Sequence, residues 1–205
     1  TMDDRTLVRW SRANEPESWP LGNVERIGGQ DGEPVQAMVP LLDRLLIFKA
    51  TKIYALYGDF ETEGGYSLAL VSDRIGTRYP FSVGVDGDSV YFLAEDGVWR
   101  YDGNLTYVSS KIKRTLLGLL MDANKEYAAG IIHDRKYWLS LSEGGTDNDA
   151  TYILDLLALD EGREVWTRFD YGVQCFASCL NDTNYNNLVA RLDAAVRERW
   201  ISFSI

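Results

Sequence analysis

The chain has 205 residues, 45% hydrophobic and 25% charged, enough to bury a core as one large domain or two small ones. A formal net charge of −10 excludes a general nucleic-acid-binding surface, which is built on Lys and Arg. No apolar run reaches the ~18 residues of a membrane span, and the opening TMDDRTLVRW has no basic segment ahead of an apolar core, so nothing signals export.

In chain order, LVRWSRANEPESWP and NVERIGG read as one strand, a proline-containing loop and a second strand, an incomplete unit over about residues 5–34. The glycines of IGGQDGEP lack the strand-turn-helix setting and the Lys-Ser/Thr of a phosphate loop, and read as a plain turn. From there a pattern recurs. The strand-like runs RLLIF, SVYFL and KYWLS begin at Arg44, Ser89 and Lys136, 45 and 47 residues apart. Each follows an apolar stretch and an Asp-bearing turn, VQAMVPLLD, FSVGVDGD and AAGIIHD, with Asp43, Asp86 and Asp134 at corresponding points. Each precedes a third run (KIYALYG, GVWRYDG, TYILDL) and a fourth (SLALVSD, LTYVSS, EVWTRFD).

Four strands per ~40–50 residues is the period of a β-propeller blade. The fold class is therefore all-β, a propeller of about four-stranded antiparallel blades at about 35–72, 81–109 and 127–170, partial, with one or two short helices. Blades stacked face to face bury both sides of their middle strands, which explains why VYFL and YWLSL are large and apolar at successive positions. KIKRTLLGLLMDANKE, 111–126, is predicted as a helical insertion from the spacing of Leu116, Leu117, Leu120 and Met121, although Lys111, Lys113 and Arg114 at its start oppose the helix dipole. Residues 171–205 make a further incomplete unit. VQCFASC reads as a first strand, and NLVARLDAAVRERW places Leu188, Leu192, Ala195 and Val196 on one helical face.

Extended chain puts the Cα atoms of Cys175 and Cys179 roughly 13 Å apart, beyond the ~7 Å a disulfide spans, so both are expected as free, buried thiols. The single His133 falls at a turn, where a histidine is usually solvated or capping rather than catalytic, and has no Cys or His nearby for a zinc site. No carboxylate pair stands out for glycoside hydrolysis, and SDRIGTRYP only partly imitates a sialidase-type aspartate box. DGDS (86–89) and TDND (146–149) lack the ligand spacing of a dedicated Ca²⁺ loop. No cofactor, metal or catalytic residue is expected. Trp19, Trp99, Trp138 and Trp166 fall at blade positions and are expected in the core, with Trp10 and Trp200 left open and a sugar-binding aromatic platform as the other use of such rings.

The ordered set VRWSRANEPESWP, LLIFKATKIYALYGD, RIGTRYPFSVGVDGDSVYFLAEDGVWRYDG with VSSKI, DRKYWLSL, YILDL and VWTRFDYG resembles the propeller-bearing structural proteins of tailed bacteriophages, of the tail hub or nozzle type, over roughly residues 7–179. None of these stretches is a catalytic signature; the likeness lies in order and spacing. It implies a non-enzymatic virion component, assembled in the host cytoplasm. Copies would form a ring with one another and with other tail or portal-proximal proteins, around a channel through which DNA passes without specific binding. Members are usually longer, which implies a partial propeller here. An acidic lumen suits that role, because each Lys or Arg contact to phosphate would add a salt-dependent attraction that slows sliding. Asp86, Asp88, Asp147 and Asp149, in blade turns, are the candidate lumen-lining residues. The alternatives are a sugar-binding or protein-interaction propeller and a glycosidase-type propeller enzyme.

Overall fold

A computed structural model of the chain describes residues 4–29, 31–58, 65–120, 127–180, 186–192 and 200–203. The chain divides into two compact units, Thr1–Arg78 and Tyr79–Ile205.

In the first unit, β1 (Leu7–Arg9) and β2 (Val24–Arg26) form a two-stranded antiparallel sheet. β3 (Ala37–Leu41), β4 (Arg44–Phe48), β5 (Ile53–Gly58) and β6 (Tyr66–Ser72) form a four-stranded antiparallel sheet in chain order. Val8 and Ile27 pack on Ile47, Tyr54 and Leu56, so the small sheet closes one face of the large one. The Trp10 ring meets Tyr66 edge-on at 5.2 Å, and the Tyr66 hydroxyl donates to Glu25 at 2.9 Å.

The turn read from IGGQDGEP has a structural task. Lys49 is fully buried, and its ammonium donates to Asp31 Oδ1 at 2.6 Å while Lys52 reaches Oδ2 at 2.9 Å. Burial raises the Asp31 pKa, but the hydrogen bonds from Lys49 and Lys52 outweigh it and hold the carboxyl at about 2. Gly28, at φ +76°, makes room for this group: a Cβ there would stand 2.5 Å from Asp31 Oδ2 and 2.7 Å from Lys49 Nζ.

The second unit repeats the four-stranded plan twice. β7 (Gly84–Asp86), β8 (Ser89–Ala94), β9 (Gly97–Tyr101) and β10 (Leu105–Tyr107) form one sheet. β11 (Ala129–His133), β12 (Lys136–Leu141), β13 (Ala150–Asp155) and β14 (Trp166–Phe169) form the next. β15 (Val173–Leu180), β16 (Asn186–Leu192) and β17 (Trp200–Phe203) make a three-stranded sheet. α1 (Lys113–Leu120) lies between β10 and β11, and α2 (Leu156–Asp160) follows β13 directly. The carboxylate of Asp155 caps α2, accepting from Ala158 N at 3.0 Å.

The second strands begin at Arg44, Ser89 and Lys136, as the spacing predicts, and each is reached by the same two-residue hairpin: Leu41 pairs with Arg44, Asp86 with Ser89, and His133 with Lys136. The first turn residue has positive φ in all three, at Leu42 (53°), Gly87 (59°) and Asp134 (47°), as tight hairpins between right-twisted strands require. The aspartates are not equivalent within that turn, however. Asp43 is its second residue, Asp134 its first, and Asp86 the last residue of β7.

The middle strands are buried on both sides, β8 throughout and β12 from Tyr137 to Leu141. Their inner face holds one core shared by the two sheets, with Tyr91, Leu93 and Val98 against Tyr137, Leu139, Tyr152 and Leu154. Tyr91 stacks on Tyr137 at 5.9 Å, and the fully buried Tyr137 hydroxyl donates to Ser82 O at 2.7 Å. Trp166 Nε1 donates to Val108 O at 3.0 Å across the same boundary. The architecture is all-β and propeller-like: successive four-stranded antiparallel sheets, stacked face to face within the second unit.

Several expectations are corrected. Residues 186–192 form a strand and not a helix: NLVARL also alternates with period two, and pairing with β15 and β17 satisfies its backbone, which decides between the two patterns. Ala195 and Val196 lie outside the described residues. Cys175 is a free thiol, as expected, but exposed and not buried, next to a register shift in β15 between Val173 and Cys175. His133 ends β11 and is buried, not solvated. Of the tryptophans, Trp138 is in the core, Trp10, Trp99 and Trp166 are half-buried, and Trp19 is 59% exposed. α1 begins at Lys113 and not at Lys111, with Leu116 buried and Leu117 exposed; Met121 and the rest of 121–126 lie outside the described residues.

Candidate functional site

The four candidate aspartates fall into two places at opposite ends of β12. Asp86 closes β7 and meets Arg135 in the β11–β12 hairpin. The Arg135 guanidinium also donates to Asp160, at the end of α2, at 2.5 Å, and Arg100 approaches Asp160 at 3.6 Å while pairing with Asp102. Its hydrogen bond from Arg100 holds the Asp102 carboxyl below the usual range. The charge on Asp86 is thus used to tie one sheet to the next. Asp88 beside it is exposed, its carboxylate accepting from the Ser89 hydroxyl at 3.1 Å.

Asp147 and Asp149 lie in the loop that joins β12 to β13, about 17 Å along the six-residue strand from the first pair. Asp149 is a loop organiser, with Oδ1 accepting from Glu143 N at 2.6 Å. Asp147 is exposed and accepts from Thr146 Oγ1 at 3.3 Å and Gln174 Nε2 at 3.5 Å. Next to them Arg168 binds Glu143 and Asp170, and the Tyr152 hydroxyl donates to Glu143. The hydrogen bond from Arg168 lowers the Glu143 pKa, whereas burial and then the Glu143 bond raise that of Tyr152. The structure therefore does not bring the four residues together; it leaves Asp88 exposed at one end of the unit and Asp147 and Asp149 exposed at the other.

Between Asp147 and Asp149 in sequence stands Asn148, 2% exposed, whose Nδ2 donates to Tyr127 O at 2.9 Å and Val173 O at 2.8 Å. One side-chain amide so joins the start of the β11 sheet to the start of β15. Val173 N donates to Ser140 Oγ at 2.7 Å and Thr151 Oγ1 to Tyr171 O at 2.8 Å, which completes the seam. Gly172 is required there, since a Cβ would fall 1.6 Å from Asn148 O.

Beside this seam is a cavity of about 250 Å³. Phe81, Tyr127 and Phe176 line it with Gln174, Cys175 and the Ala129–Gly130 backbone. Sequence reasoning missed it: its rings come from three distant segments, and no local spacing links them.

His133 is not part of either place. Burial holds its imidazole below the usual pKa, and the neighbouring Asp134 acts in the opposite sense. Among the described residues no group of three or more His, Cys, Asp or Glu side chains is placed to share a metal ion, and no helix is long and apolar enough to cross a membrane.

No protein-family model matches the chain. No curated protein matches it. Among solved structures, a match is AztD from Citrobacter koseri, at 9% identity and a TM-score of 0.43, covering 98% of this chain and 55% of that one. This chain thus spans about half the length of that structure, and at this level of likeness no function passes from it.

Proposed function

We propose that this chain is a non-enzymatic structural component of a tailed-phage tail, a hub or nozzle propeller whose copies assemble into a ring around the DNA path. The reading rests on the sequence resemblance, and one observation supports it best: a set of polar and charged side chains in the second unit joins sheet to sheet. Arg135 holds Asp86, Arg100 approaches Asp160, Ser110 and Lys111 N hold Glu164, and Asn148 holds two strand-start carbonyls. Such a unit is braced as a wall element is, with sheets covering each other's faces and leaving short edges. The repeated sheets are the blades of a partial propeller, and other tail or portal-proximal proteins meet its outer surface.

The net charge of −10 gives the lumen its property. Carboxylates add only repulsion to passing phosphates, and exposed Asp88 and Asp147, which accept from side-chain hydroxyl or amide groups and not from an arginine or a backbone N–H among the described contacts, are the two candidate positions to test. Asp86 and Asp149 stabilise their turns and are unsuitable for the test. The double variant Asp88→Lys/Asp147→Lys is expected to bind duplex DNA at low salt, with a slope of log K against log salt steeper by about two. Particles carrying it should release their genome more slowly. Unchanged release from particles shown to contain the variant contradicts the lumen placement.

A further inference from the structure

We propose that the cavity between the Pro80–Ser82 turn, the start of β11 and β15 is a binding site for a neutral saccharide, one sugar ring deep. The site is independent of the ring reading. Its volume of about 250 Å³ is just below the ~300–1,000 Å³ of sites for drug-sized ligands.

Three aromatic residues surround it, and two of them are costly to leave in water: Phe81 is 68% exposed and Tyr127 59%. Neither is loosely attached. The Phe81 turn is held by buried Ser82, whose hydroxyl donates to Tyr79 O at 2.7 Å and accepts from Leu93 N at 3.1 Å. Gly130 lets that turn lie against β11, since a Cβ there would stand 2.7 Å from Ser82 O. The Tyr127 carbonyl is fixed by Asn148, as is that of Val173 next to Gln174. The cavity is thus preorganised by the seam beneath it.

The lining chooses the ligand class. Among the described residues it contains no Lys or Arg, which disfavours a phosphate or other anion. The Gln174 amide adds a donor and an acceptor group to the aromatic wall, and its Nε2 lies 3.5 Å from the Asp147 carboxylate outside the lining. A sugar ring presents both halves of that pattern, with weakly electropositive C–H bonds for the electron-rich ring faces and hydroxyls for the amide. An aliphatic occupant would use only the first half.

Cys175 lines the same cavity as an exposed thiol and serves as the reporter. In the Cys179→Ser protein it is the one thiol left. Its alkylation rate is measured with the methyl pyranosides of glucose, galactose, mannose and N-acetylglucosamine, and separately with phenylalaninamide. At least one pyranoside should slow labelling saturably, by about tenfold at ten times its Kd. Tyr127→Ala and Gln174→Ala should each remove the protection while Cys175 stays reactive. Protection by none of the sugars overturns the proposal, as does protection by phenylalaninamide alone, which would make the cavity an anchor for an apolar side chain.

Discussion

Asn148→Asp is expected to lower the stability of the second unit by about 4 kcal/mol at pH 8, and by less at pH 4. The native amide is buried and directs both protons of Nδ2 at carbonyl oxygens, those of Tyr127 and Val173. An aspartate of the same shape has no proton to give when ionised. It faces two carbonyl dipoles with a full negative charge, loses two hydrogen bonds and leaves two buried acceptors unpaired, each costing ~1–3 kcal/mol. Burial and the facing carbonyls raise its folded pKa above the unfolded value of ~3.9, so the penalty grows as pH rises through that interval and shrinks below it, where the protonated acid can donate to one carbonyl. Urea unfolding at the two pH values measures the difference. Equal stability of variant and parent at pH 8 would mean that the seam between β11 and β15 does not depend on this residue.

Trp138→Ala is expected to cost ~3–5 kcal/mol, a large share of the ~5–15 kcal/mol that holds a domain folded. Trp138 lies mid-strand in β12, pairs across to Ile131 and Ile153, and packs its ring with both and with Phe176 of β15. Truncation empties the space between the β11–β14 sheet and the next sheet, opposite the face where Tyr137 packs toward Tyr91. Little soluble protein, or a melting point lower by more than about 8 °C, is the expected reading. A near-normal melting point would place the strand outside the core.

The hairpins were legible because two signals coincide in them. RLLIF, SVYFL and KYWLS are apolar at successive positions, and each follows a two-residue turn that the backbone needs at positive φ. That is local information, and it located the second strands to the residue. NLVARL carried two periods at once, with Leu188 and Leu192 four apart and Leu188, Ala190 and Leu192 alternating, so only pairing with distant strands could decide it. α2 was hidden for a similar reason: LLALD continues the apolar run of β13, and the break comes from the Asp155 cap, a residue that serves equally well in a turn. The candidate acidic site was legible as four exposed-looking aspartates, but Asp86 finds Arg135, 49 positions away, and Asp149 folds back on its own loop. The aromatic cavity had no local mark at all, since tertiary packing alone collects Phe81, Tyr127 and Phe176.

Electron microscopy of the purified chain tests the structural-ring account most directly. The account predicts rings of several copies around an open centre, each copy resolving into radially arranged four-stranded sheets; a population of single copies only, at concentrations where the protein is fully folded, would contradict it.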